Sequence, residues 1–248
     1  MSSVKILGHR GFSSKYPENT RIAFRKALEL PIDGIELDVH LTEDGVPVVI
    51  HDATVNRTTD GEGLVSRLRS DQISLLNAAN AYPELGRQEV PSLQDVLDDA
   101  YQCKPHVCCN IEIKVDDGNW EALVDATAAV VRNHPLASQV VFSSFHHESI
   151  AYLKQRYPQL TVGLLFGGDT TDAWNVARQV GAYSVHLNAR YTTAEHIAAC
   201  HASDLRVAVW TVDAAPDLER FIRLNTDYLI TNVPDTAQRI RDSILSPV

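Results

Sequence analysis

Glu36 and Asp38 stand two residues apart in "GIELDVHLTEDGVPVVIHD", residues 34 to 52, where Ile35, Leu37 and Val39 alternate with Glu36, Asp38 and His40. In a strand this spacing puts two carboxylates on one face, with an apolar row on the other. A carboxylate taken out of water costs several kcal/mol unless it is paired. "NIEIKVDD" repeats the pattern, with Glu112 and Lys114 on one face and Ile111 and Ile113 on the other. One lysine cannot neutralise three carboxylates. An oxygen-rich donor set of this kind suits Mg²⁺ or Ca²⁺, with Mn²⁺ as a third candidate, whereas zinc prefers His and Cys. A buried ion-pair network would account for any one of these residues taken alone, but inward carboxylates repeated at strand ends point to a cation.

Asp44-Gly45, set between two alternating apolar runs, predicts a hairpin with those two residues at its centre. Opposed residues then sum to 89, which places His51 across from Asp38 and on the face of Glu36. His40 reads as a polar hairpin residue. Upstream, "LGHRGFSSKYPENT" sets His9 and Arg10 at the end of the first apolar run, with Asn19 as the expected N-cap of the next helix. Arg10 carries a planar, permanently charged fork suited to phosphate. Two histidines beside a metal and a fixed cation compose a site for phosphodiester cleavage, with imidazoles as acid and base.

These residues need a scaffold that brings strand ends together. Strands are predicted at Val4–Gly8, Gly34–Asp38, Val107–Ile113, Val140–Ser143, Thr161–Leu165, Tyr183–Leu187, Arg206–Trp210 and Tyr228–Thr231. Helical spacing falls between them, at Arg21–Leu30, Leu93–Tyr101, Glu121–Arg132, Glu148–Arg156, Ala173–Val180, Ala194–His201, Asp217–Leu224 and Thr236–Leu245. Eight such units without a linker predict a single α/β domain over residues 1–248, a (β/α)₈ TIM barrel. A doubly wound open sheet is the alternative, weakened because no Gly-rich fingerprint follows the first strand. Residues 39–92 are too long for a βα loop and predict a small insertion after the second barrel strand: the hairpin, then a capping segment. It would lie on the face where barrel active sites form.

The chain has 248 residues, 44% hydrophobic and 22% charged, as expected of a globular enzyme or binding protein. Its net charge of −10 argues against a nucleic-acid partner. No secretion signal or bilayer-length apolar run is evident, so a cytoplasmic location without stable membrane insertion is expected. The spacing of Cys103, Cys108, Cys109 and Cys200 fits neither a zinc site nor a disulfide framework, so reduced thiols are expected.

"HRG" with "PENT", "ELD", the "HD" that ends the hairpin, "RTTDGEG" and "EIK" together resemble the glycerophosphodiester phosphodiesterases of the bacterial cytoplasmic type. "SSF" and the "WTV" beginning at Trp210 extend the match over essentially the whole chain. The resemblance implies a TIM barrel with an insertion after the second strand. It also implies metal-dependent release of sn-glycerol 3-phosphate and an alcohol from deacylated phospholipids such as glycerophosphocholine or glycerophosphoethanolamine. It gives Glu36, Asp38 and Glu112 as ligands of one divalent metal, and His9 and His51 as the acid/base pair. Arg10 and Lys114 fall near the phosphate, Glu18 orients Arg10 or touches the site, and Trp210 walls the glycerol or leaving alcohol. Asn232 departs from the family, whose members often carry Asp after the Thr of the last strand. The expected partner is a small-molecule substrate, with monomer and homodimer both open. Competing functions are a phospholipase D-like enzyme on intact lipid, a catalytically silent glycerophosphodiester binder, and a metal-dependent aldolase on the same barrel.

Overall fold

Buried β-branched runs alternate with helices that bury one apolar face, and each pair forms one stave of a closed cylinder. The computed structural model describes residues 4–115, 119–168 and 170–245. In chain order it begins β1 (Lys5–His9), α1 (Arg21–Leu28), β2 (Gly34–Leu41), β3 (Pro47–Val49), α2 (Ser70–Ser74), α3 (Leu93–Cys103), β4 (Cys108–Ile113) and α4 (Trp120–Arg132). It continues with β5 (Val140–Ser144), α5 (His147–Arg156), β6 (Thr161–Phe166), α6 (Ala173–Val180), β7 (Ser184–Asn188) and α7 (Ala194–Ala202). It ends with β8 (Arg206–Trp210), α8 (Ala215–Arg223), β9 (Tyr228–Thr231) and α9 (Pro234–Leu245). Parallel strands run in the order β1-β9-β8-β7-β6-β5-β4-β2, and β1 pairs with β2 to close the barrel, with β3 added antiparallel to β2. No open-sheet edge is left among the eight parallel strands, so the TIM barrel holds and the doubly wound alternative does not.

Ladder register positions the chemistry. An added Cβ at Gly34 would lie 2.2 Å from the Cys108 carbonyl oxygen, so only glycine allows this approach of β2 to β4. The same register carries Asp38 opposite Glu112, while β1 carries His9 opposite Glu36. The main core fills the space between the barrel and its helices, with Phe24, Ile35, Ile111, Phe142 and Phe221 buried in it. Val48, Ile50, Val55, Val65, Ile73, Ala78 and Val90 form a separate small core under the segment that follows β2.

The structure departs from the sequence pattern at two points. The hairpin pairs Val39 with Val49, His40 with Val48 and Leu41 with Pro47, so opposed residues sum to 88 and not 89. Its loop is three residues long, with Gly45 at φ +78°, and Asp44 sits inside it bonded to Thr42 Oγ1 at 2.7 Å and to Ser70 N and Oγ at 2.8 Å each. Ile50, not His51, therefore lies across from Asp38 and donates its N–H to the Asp38 carbonyl. The N-cap of α1 is Thr20, whose side chain accepts from Ala23 N, and Asn19 is one residue too early for that role. No helix among the described residues is long and apolar enough to cross a membrane. All four cysteines are free.

Candidate active site

On β2 and β4 the side chains of Glu36, Asp38 and Glu112 converge, each offering a carboxylate oxygen within 4.8 Å of the others. It is the only such acidic group of metal-binding geometry found among the described residues. Two cations face it. Arg10 Nε lies 3.2 Å from Asp38 Oδ2, and Lys114 Nζ lies 2.6 Å from Glu112 and 3.4 Å from Asp38 Oδ1. Asn19, displaced from the cap role, donates to Asp38 Oδ2 at 2.9 Å. Arg10 N–H donates to Glu36 at 2.9 Å.

The electrostatics of the three acids differ. Burial and the charge of Asp38 push Glu36 up to about 8 and Glu112 up to about 7. Burial would also raise Asp38, but Lys114 and Arg10 pull it below the usual carboxylate range. Asp38 Oδ1 is buried without a hydrogen-bond partner. Three buried carboxylates, two of them resisting ionisation and one with an orphaned oxygen, form a hard-oxygen donor set that a divalent cation fits.

A histidine stands on each flank. His9 Nε2 is 3.9 Å from Glu36 Oε2, and His9 Nδ1 is 2.7 Å from Asn232 Oδ1. Burial and the nearby Arg10 hold His9 below the ordinary imidazole value, against the Asn232 bond, which works upward. His51 Nδ1 is 2.7 Å from Asp52, while the His51 carbonyl lies 3.0 Å from His40 Nε2. Burial lowers the His51 value, opposed by Asp38 and Asp52. Ile50 N–H is bonded to the Asp38 carbonyl at 3.1 Å, so the next residue, His51, returns beside the cluster although it lies beyond β3. The turn after Ile50 brings it there, not the strand pairing expected from the hairpin.

Arg57, from the segment following the hairpin, ties this flank together. It donates to both oxygens of Asp52 at 2.7 and 3.0 Å and to both oxygens of Glu18 at 2.8 and 2.9 Å. Glu18 in turn accepts from Arg10 at 2.8 Å. Hydrogen bonds from Arg57 and the charge of Arg10 lower Glu18 despite its burial, and the Arg57 bonds hold Asp52 far below its usual range.

The barrel thus gathers Glu36, Asp38, Glu112, His9, Arg10, Glu18, Lys114 and His51 at one mouth. Trp210 stands apart from the ionic cluster at the end of β8, its ring edge-on to Phe145 at 5.4 Å and its Nε1–H donating to the His186 carbonyl. Phe145 is 46% exposed there. Sequence reasoning passed over Asn19 as a partner of Asp38, Asp52, Arg57, Asp213 and the place of Asn232. Asp52 and Arg57 lie inside quoted motifs, and adjacency to His51 was the available signal for Asp52. For Arg57 the signal is its place at the head of "RTTDGEG", and nothing local marks Asp213.

The family model described as "Glycerophosphoryl diester phosphodiesterase family" matches residues 9–236. A glycerophosphodiester phosphodiesterase of Caldanaerobacter subterraneus subsp. tengcongensis is 36% identical over 232 residues, covering 93% of this chain and 95% of its own. Another, from Bacillus altitudinis, is 32% identical over 244 residues, covering 97% and 99%. The structure of an Oleispira antarctica phosphodiesterase, solved with its product sn-glycerol-3-phosphate, shares the fold with a TM-score of 0.90 over 97% of each chain, at 24% identity.

Proposed function

The chain belongs to the glycerophosphoryl diester phosphodiesterase family, and from that premise we propose that it hydrolyses glycerophosphodiesters to sn-glycerol 3-phosphate and an alcohol at this barrel mouth. The observation that carries the placement is the convergence of Glu36, Asp38 and Glu112 within 4.8 Å, with His9 and His51 on its flanks.

Glu36, Asp38 and Glu112 would hold one divalent metal ion, Mg²⁺ or Ca²⁺ by donor type. When bound, it supplies charge for the phosphoryl oxygens and lowers the pKa of an attacking hydroxyl. Arg10 and Lys114 hold the phosphodiester anion from the protein side, Arg10 by its fork and Lys114 as a point charge. Glu18 and Arg57 fix the direction of Arg10. One imidazole takes the proton of the nucleophile and the other protonates the leaving alcoholate, each worth roughly 10²–10⁴-fold. The nucleophile is water or the glycerol hydroxyl next to the ester, and a cyclic glycerol phosphate would accumulate only by the second route. Trp210 and Phe145 offer an apolar wall at the same mouth.

The test is release of glycerol 3-phosphate from glycerophosphocholine, glycerophosphoethanolamine and further diesters, with Mg²⁺, Mn²⁺ and Ca²⁺ compared. Turnover is expected with at least one ion and is expected to stop with EDTA and in His9→Ala. Turnover that survives both would overturn the placement of the chemistry.

A further inference from the structure

We infer that Asn232 is a positioning residue for His9 and that Asp213 sets the direction in which its amide points. This deepens the proposed function, because it concerns how one of the two imidazoles is presented.

An amide has two ends of similar shape, and only its partners tell them apart. Asn232 Nδ2 lies 2.7 Å from Asp213 Oδ2. An ionised carboxylate can only accept, so the NH₂ end must face Asp213 and the oxygen must face away. That oxygen is 2.7 Å from His9 Nδ1. An oxygen cannot donate, so the His9 proton sits on Nδ1. The neutral ring therefore presents a bare Nε2 on the side of Glu36, 3.9 Å away. Ser13 Oγ is also 2.7 Å from Asn232 Oδ1 and 2.8 Å from the His9 carbonyl, and its single proton serves one of them at a time. Neither option changes which His9 nitrogen carries the proton.

Asp213 is solvent-exposed, and a lone exposed bond would set little. It is held at three points instead. Oδ1 accepts from the Asn232 backbone N–H at 2.8 Å and from Thr231 Oγ1 at 3.1 Å, and Oδ2 accepts from the Asn232 amide. The loop after β8 thereby grips the end of β9, and the grip reaches His9 through one neutral amide. A carboxylate at 232 would instead meet Asp213 at about the same 2.7 Å, two like charges in contact. Exchanging the two residues would keep a donor–acceptor pair between them and an acceptor on His9.

The experiment uses the full chain with ¹⁵N-labelled histidine, read by long-range ¹H–¹⁵N correlation and by steady-state kinetics. The unmodified protein is expected to show His9 as the Nδ1–H tautomer. Asn232→Ala is expected to shift His9 toward Nε2–H and to lower kcat about 10–100-fold, with KM changing less than about 3-fold. Asn232→Asp is expected to lose a similar factor, and the exchange Asn232→Asp with Asp213→Asn to recover most of it along with the tautomer. His9 as Nε2–H in the unmodified protein, or an exchange no better than Asn232→Asp alone, would overturn the inference. The tautomer of the unmodified protein decides the matter even if a variant does not fold. It is read without turnover, so a chain inactive on every diester would refute the reaction and leave this assignment standing.

Discussion

The two histidines flank one acidic cluster, yet they are held by opposite kinds of chemistry. His51 is backed by a carboxylate, Asp52, and behind it by an ionic chain through Arg57 and Glu18 to Arg10. His9 is backed by a neutral amide, Asn232, braced by Asp213. The difference follows from where each residue sits. His9 ends a barrel strand whose place is set by ladders to β2 and β9, so one neutral acceptor suffices to orient its ring. His51 lies past the hairpin, where the segment has its own small core and no ladder fixes the chain. Charged, bidentate bonds do there what strand pairing does for His9.

The largest effect should come from the residue that both flanks share. Asp38 meets Arg10, Lys114 and Asn19 directly and His51 through its field. Asp38→Asn is expected to lower kcat/KM by about 10³-fold or more, the equivalent of several kcal/mol of charge stabilisation, in the glycerol 3-phosphate assay. The acids also predict how metal binding responds to pH. Glu36 and Glu112 are raised to about 8 and about 7 from an ordinary 4.5. Through that window the metal-free folded chain binds more protons than the unfolded chain, so its stability falls as pH rises. A dication binding the ionised carboxylates offsets this loss. The rise in Tm on adding Mg²⁺ or Ca²⁺ should therefore be larger near about pH 8 than near about pH 5.5, by differential scanning fluorimetry. A rise independent of pH would place the cation elsewhere.

Alternation made the barrel strands and the inward carboxylates legible in the sequence. Every second residue of "GIELDV" and "NIEIKV" is apolar, and a closed barrel turns the remaining ones inward. Thr161, Arg206 and Tyr228 begin their strands where the pattern predicts. What was not legible depends on side chains that reach across the chain. In the hairpin loop, Asp44 bonds to Ser70, 26 residues on. Arg57 meets Glu18 at a separation of 39 residues, and Asn232 meets His9 at 223. Such pairs have no period, and a loop residue carries no face. Asn19 illustrates the same limit: a good cap residue by type, it spends its amide on Asp38 because the adjacent Thr20 caps the helix.

Asp52→Asn would give His51 the kind of partner His9 already has. An amide cannot accept Arg57 at both oxygens, so the ionic chain also opens. A loss of about 10–100-fold in kcat is expected, with KM nearly unchanged. No loss would mean that the charge on this flank is dispensable and that the two flanks are equivalent. Arg57→Ala leaves Asp52 on His51 and Glu18 on Arg10 but removes the tie between them. Its expected cost is smaller, about 3–10-fold. Arg57→Lys should recover little, since an ammonium cannot make two forked pairs at once.

The smallest effect belongs to His40, which shares a strand face with Glu36 and Asp38 but turns its Nε2 to the His51 carbonyl at 3.0 Å. This bond fixes where the His51 backbone leaves β3, whereas Asp52 fixes how the His51 ring is turned. His40→Phe keeps the buried volume and removes the backbone bond. Leaving that carbonyl unpaired should cost about 1–3 kcal/mol of stability, measured by denaturant unfolding. Activity should fall less than about 3-fold, because Asp52 and Arg57 still hold the ring. A loss in kcat as large as that of Asp52→Asn would reverse the ranking. Backbone placement would then be what the insertion supplies, and the ionic chain would be a consequence of it.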